Sequence, residues 1–108
     1  MIAKDITLTD LLDAIRTNCE AAVFDEARRV AEEIRQTTPP NRVETRQAVR
    51  VRRKGTQAVV LLQFPRQYDS KNTTTHKRFA TQWSRIRPES RRRLIESLND
   101  AIQSAATH

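Results

Sequence analysis

The stretch VETRQAVRVRRKGTQAVVLLQF, residues 43–64, decides the fold class. Between Val43 and Arg52 the odd positions carry Val43, Thr45, Val49 and Val51, while the even positions are mostly charged. Alternation with a period of two marks a strand with one face buried and one wet. Arg53-Lys54-Gly55-Thr56 then reads as a turn. Gly55 is the only glycine in the chain and can take the positive φ that tight hairpin turns require. Gln57 to Phe64 returns with Val59 and Leu61 on one face and Val60 and Leu62 on the other. A strand that is apolar on both faces is expected inside a sheet, not at its edge. Two strands make a poor sheet alone. A further strand is therefore expected, from Arg66-Gln67-Tyr68 or from a neighbouring subunit.

Upstream of the hairpin, Leu8, Leu12, Ile15, Cys19, Ala22, Val23, Ala27, Val30 and Ile34 recur at three- and four-residue steps, the stripe of an amphipathic helix. Thr7 can cap its start, with Asp10 three residues on and Ile6 placed to staple onto Leu11. Thr37-Thr38-Pro39-Pro40 ends it, because the residue before proline is driven out of the helical region. A helix over residues 7–37 is a rod of roughly 45 Å, at 1.5 Å per residue. That length is expected to outrun its own core. Phe24 lies off the main stripe, near Ala27 and Ala31. It is expected to touch either a later part of the chain or a neighbouring subunit.

Downstream, residues 65–75 read as a polar loop centred on Asp69-Ser70-Lys71-Asn72. Thr75 can cap a short helix in which Phe79, Trp83 and Ile86 share a face. Pro88 should end or kink that helix and open a last one, striped by Leu94, Ile95, Leu98, Ala101, Ile102 and Ala105. The C-terminal helices thus span 76–106. The expected fold is a single α+β domain over 1–108 in the order α–β–β–α–α, with a long N-terminal helix and C-terminal helices packed on a small antiparallel sheet.

At 108 residues the chain can build one modest core with little left for a deep cavity. No apolar run approaches the roughly 18 residues of a membrane span, and no signal-peptide core follows Met1. Cys19 is the only cysteine, so an internal disulfide is excluded, and a small apolar residue on a helix face is the plain reading of it. His76 and His108 are the only histidines, which leaves neither a nucleophile–base pair nor a metal set in view. Asp25-Glu26 and Glu32-Glu33 read as solvated surface. No catalytic residue, metal ligand or cofactor site is therefore expected, and the chain reads as a binding or assembly protein, not an enzyme.

Charge carries more information. The net charge is +7, but residues 1–36 sum to −3 and residues 37–108 to +10. Such asymmetry either draws a polyanion to one half or aligns copies acidic surface to basic. Arg46, Arg50, Arg52, Arg53 and Lys54 form one basic cluster on the first strand and turn; Arg91, Arg92 and Arg93 form another, with Arg85 and Arg87 just before them. Both are candidate contacts for phosphate or for an acidic protein surface, since arginine's planar fork donates to two oxygens at once. The few aromatics are not interleaved with the arginines, which argues against base stacking.

The order of a long helix ending at prolines, a Thr45-to-Val49 strand entry, a hairpin, a polar loop and C-terminal helices resembles the tail-completion or head–tail joining proteins of long-tailed phages. The local resemblance centres on Pro39-Pro40-Asn41-Arg42-Val43-Glu44-Thr45-Arg46-Gln47-Ala48-Val49; Thr45-Arg46 stands where that family commonly has Thr-Gly. The resemblance implies a non-enzymatic virion subunit that assembles into a ring in the host bacterial cytoplasm. It implies further copies of the chain and neighbouring virion proteins as partners; the arginine clusters make the DNA phosphate backbone a candidate contact, and neither a membrane nor a small-molecule substrate is expected. Phe24, Ala27, Ala31, Val59 and Leu61 are the candidate subunit interface. On the residues alone, a small cytoplasmic protein binding nucleic acid without sequence preference through its arginines is the alternative.

Overall fold

The computed structural model describes residues 8–64 and 73–107. Helix α1 (Leu8–Thr37) is followed by a short helix α2 (Val43–Ala48), strands β1 (Val49–Lys54) and β2 (Gln57–Leu62), and helix α3 (Thr73–Thr107). The fold is α+β, as expected. The outline is long and thin, 65 × 27 × 17 Å. Its radius of gyration is 18.3 Å, against about 13 Å for a compact chain of this length.

Helix α1 stops where the prolines demand. Near its end the Ile34 carbonyl is satisfied by Thr38, whose amide and hydroxyl both donate to it, at 3.0 and 2.6 Å. The proposed start at Thr7 and the Ile6 staple fall outside the described residues.

Several expectations are corrected. Val43–Ala48, read as the first half of a strand, is one and a half turns of helix. Arg42 donates its amide to the Pro39 carbonyl at 2.9 Å and accepts from the Arg46 amide at 3.1 Å, so the prolines' turn rolls directly into α2. Arg46 then gives its Nε to the Arg35 carbonyl at 3.1 Å, sealing the end of α1. Second, Pro88 neither ends nor divides the C-terminal helix, which runs unbroken through it. The proline removes one helical hydrogen bond. Phe79 and Ile86 before it, and Ser90 and Arg93 after it, all pack on α1 and hold both halves in line. The helix also starts before Thr75, whose side chain is buried instead of capping.

The hairpin pairs Val49 with Leu62, Val51 with Val60 and Lys54 with Gln57 in antiparallel register. Gly55, at φ +62, and Thr56 make a two-residue turn, with the positive φ at the first central position that a type II′ turn needs. Arg53 and Lys54 belong to the strand, not to the turn. The face bearing Val49, Val51, Val60 and Leu62 lies on α1 and closes the core around Val30, Ala31 and Ile34.

Helices α1 and α3 run antiparallel, with contacts from the Thr37–Gln82 level to the Asn18–Ala101 level. Gln82 donates to Thr37 Oγ1 (2.9 Å) and the Ile34 carbonyl (3.2 Å), Ser90 and Arg93 meet Glu26, and Asn18 Nδ2 donates to the Ala101 carbonyl at 3.3 Å. The hairpin turn reaches only as far as Phe24, where Arg53 lies over the ring. Past that level α1 and α3 continue as a two-helix arm, residues 8–22 beside 94–107, on which none of the described strands lies. Among the described residues, the buried positions of α1 run from Glu26 to Ile34, and α3 accompanies the helix past them. No helix among the described residues is long and apolar enough to cross a membrane.

Candidate assembly surface

The first component of the surface is the open side of the sheet. Partners across an antiparallel pair share a face. Arg50 and Leu61, Arg52 and Val59, and Lys54 and Gln57 therefore point away from α1. Val59 is 36% exposed there and Leu61 half-buried, with the cations beside them exposed. The sheet has two strands among the described residues. Gln63 donates its amide to the Ala48 carbonyl at 2.8 Å, which fixes the phase of the ladder. In that phase the backbone groups of Ala58, Val60 and Leu62 point out of the free edge of β2. On the other edge, the Val49 carbonyl is already taken by Arg35 at 3.0 Å. The candidate third strand at Arg66-Gln67-Tyr68 lies outside the described residues.

The second component is a cleft along that free edge. Val23, Ala27 and Val30 of α1 form its floor, Ala58 to Val60 one wall, and Phe79, Trp83 and Leu94 of α3 the other. It encloses about 340 Å³ and is predominantly apolar. Trp83, on its rim, is 39% exposed. Leu12, Cys19 and Val23 continue the stripe of Val30 toward the end of the arm, so the floor of the cleft runs on into a face that none of the described strands covers. Leu8 (78% exposed), Leu12 (64%), Ile95 (51%) and Ile102 (43%) crowd this arm.

The predicted interface residues divide. Val59 and Leu61 are on the outer sheet face, and Phe24 is half-buried at the foot of the hairpin, with the guanidinium carbons of Arg28 and Arg53 at 4.5 and 5.3 Å from its ring centroid. That geometry is a double cation–π contact. Ala27 and Ala31 are corrected: they are 8% and 0% exposed and buried in the chain's own core, their small side chains letting the sheet lie close on α1.

The basic clusters also divide. Arg46 seals α1, and Arg50 donates to the Gln47 and Val49 carbonyls. Arg92 pairs with Glu89 and, at 2.7 Å, with Glu96 along the surface of α3. The hydrogen bond from Arg92 lowers the Glu89 pKa below its ordinary 4.5, and the same contact raises that of Arg92. Arg93 is structural: it grips Glu26 through Nε (3.2 Å) and Nη2 (2.8 Å) and reaches Glu33 at 2.7 Å. Its pKa is raised, chiefly by the hydrogen bond to Glu26, against the opposing effect of burial. Arg52, Lys54 and Arg91 remain exposed and turned to solvent.

Glu26 was read as surface; it is 8% exposed and accepts from Ser90 Oγ at 2.8 Å as well as from Arg93. The sequence does hold a signal for this. Glu26 and Glu33, seven residues apart, share one side of α1 bordering the apolar stripe. Cys19 adjoins Asn18 and so lies near Ala101, while His76 stacks edge-on with Phe64 at the opposite end of α3. The fold keeps the two apart. No group of three or more metal-ligating side chains comes together among the described residues.

Comparison with protein-family models, curated proteins and solved structures returns no match. The fold and this surface therefore carry the functional reading.

Proposed function

We propose that this chain is a non-enzymatic structural subunit that assembles with copies of itself, of the head–tail connector or tail-completion type of long-tailed phages. One observation carries the reading: among the described residues the outer edge of β2 is unpaired and borders an apolar cleft whose floor runs on into a helical arm that the described strands leave uncovered. Exposed strand edges and contiguous apolar faces are liabilities in a monomer and assets where a neighbour covers them. Contacts of one patch with a different patch repeat from copy to copy until a ring closes. The phage assignment rests on the resemblance in the order of a proline-ended long helix, a hairpin and a C-terminal helical region; the Thr45-to-Val49 strand entry is helix as far as Ala48 and lends it no support.

Sedimentation and native mass spectrometry across a concentration series test this. Association into a closed species with a discrete upper size is the expected result; a monomer up to about 1 mM, where binding weaker than −4.1 kcal/mol would go unseen, overturns it.

A second reading is favoured by the row of Arg50, Arg52 and Lys54 on the open sheet face. Here the chain binds phosphate backbones without reading sequence. Replacing Arg52, Arg53 and Lys54 with Ser would abolish retention on a DNA column under that reading, and Phe24→Asp would leave retention intact while disturbing assembly.

A further inference from the structure

The fold sorts charge along its long axis more sharply than the sequence does. In the arm, residues 8–22 and 94–107 carry Asp10, Asp13, Glu20, Glu96 and Asp100 against Arg16, a net charge of −4. The remainder of the described chain, the head formed by residues 23–64 and 73–93, carries sixteen Lys/Arg against six Asp/Glu, a net +10. Antiparallel pairing of α1 with α3 produces this. It brings the acidic start of one helix to the acidic end of the other, and leaves the basic hairpin beside the basic start of α3.

Apolar surface is exposed at both ends. The arm offers Leu8, Leu12, Ile95 and Ile102, with Asp13 and Glu20 bordering the α1 stripe; the head offers Val59 and Trp83, with Arg52 and Lys54 on the same face as Val59. Arm against arm and head against head would each set like charges together as the apolar faces close, which opposes that pairing. Arm against head joins opposite charge and apolar surface in one contact.

We infer that the acidic arm of one copy docks on the hairpin and cleft of a second copy, so that Leu8 and Leu12 meet the Val59–Trp83 rim while Asp13 and Glu20 meet Arg52 and Lys54. This rests on the self-assembly reading above and names the faces that meet. The arm acts as a helical ligand anchored through side chains one turn apart, and the cleft as its groove.

Charge exchange tests it. One variant carries Asp13→Lys and Glu20→Lys, a second carries Arg52→Glu and Lys54→Glu, and a third carries all four changes. All four residues are exposed or half-buried, so far-UV circular dichroism should report an unchanged fold. By sedimentation, each two-site variant is expected to self-associate at least tenfold more weakly than the parent. The four-site variant, in which the signs are again opposite, should return to within about threefold of it. Parent association should also weaken steeply as salt shortens the Debye length from about 30 Å at 0.01 M to about 8 Å at 0.15 M. A parent that assembles while both two-site variants assemble equally well overturns this contact and leaves the assembly reading standing; so does a four-site variant no better than its components. If the parent stops at a dimer and the exchange behaves as expected, the contact is upheld and the ring is overturned, because the two copies then exchange arms reciprocally. A parent that stays monomeric overturns both.

Discussion

Replacing Arg93 with Met removes the cation that locks α1 to α3. Its guanidinium serves two carboxylates seven residues apart on α1: Glu26, whose side chain is 8% exposed, and Glu33, at 30%. Without it the Ser90 hydroxyl is the partner left to Glu26 among the described residues, in a site that water barely reaches. Deleting one member of a buried ion pair costs about 3–5 kcal/mol, mostly from the charge left behind. Glu33 can turn outward, so the lower figure, about 3 kcal/mol, is expected. For a domain near 100 residues that corresponds to a fall in Tm of roughly 12–24 °C. Thermal and urea unfolding followed at the helical circular-dichroism band measure it. Adding Glu26→Gln to Arg93→Met removes the stranded charge and should recover more than half of the loss, since replacing both partners together is far less costly than removing one. The Arg93 pKa is raised, so its contribution is complete below the ordinary arginine range and is lost only as pH rises through the higher, folded value. The deficit of Arg93→Met should therefore be constant between about pH 6 and 10. An Arg93→Met protein as stable as the surface control Arg92→Ala, or a double variant less stable than the single, would refute the reasoning.

Three further outcomes are expected. Gly55→Ala should cost about 1 kcal/mol, from the positive φ alone, because a Cβ there meets nothing within 4 Å; a stabilised protein in urea titration contradicts the turn. Pro88→Ala should stabilise the fold by about 1 kcal/mol or more, since an exposed proline in a helix interior leaves a carbonyl without its amide donor; a lowered Tm would mean that α3 needs the proline's shape. The Glu89 carboxyl should titrate by NMR below 4.5, so that its pairing with Arg92 holds above the ordinary carboxylate range and is lost as pH falls through the lowered value. Arg92→Ala should bring the midpoint back, and an unmoved midpoint assigns the shift elsewhere.

The parts of this fold that were legible in the sequence are those where one local rule acts unopposed. Three- and four-residue spacing over thirty residues, closed by paired prolines, leaves α1 no alternative, and Gly55 between apolar runs leaves little choice about the turn. Residues 43–48 misled because six residues are too few to separate a period of two from a period of 3.6. Val43 and Thr45 fit alternation, while the side chain of Arg46, reaching back to the Arg35 carbonyl, decides for helix through a contact eleven positions away. Pro88 misled because a local penalty was outweighed by packing on both sides of it. Among the site residues, Val59 and Leu61 were readable from their place on a second apolar strand face. Ala27 and Ala31 were not, because which side of α1 the sheet would choose is a tertiary fact. Glu26 and Arg93 are 67 residues apart in sequence, and only the folded chain makes them neighbours.

That separation also has a consequence on the ribosome. Translation at about 5–20 residues per second puts roughly 3 to 13 seconds between the addition of Glu26 and that of Arg93. Throughout that interval the side of the first helix that α3 will cover is wet and its buried glutamate is without a counter-ion, even once the hairpin is made. Late-arriving α3 thus completes the fold, and a copy stalled before it is made would present to chaperones the same apolar stripe that the finished molecule partly hides.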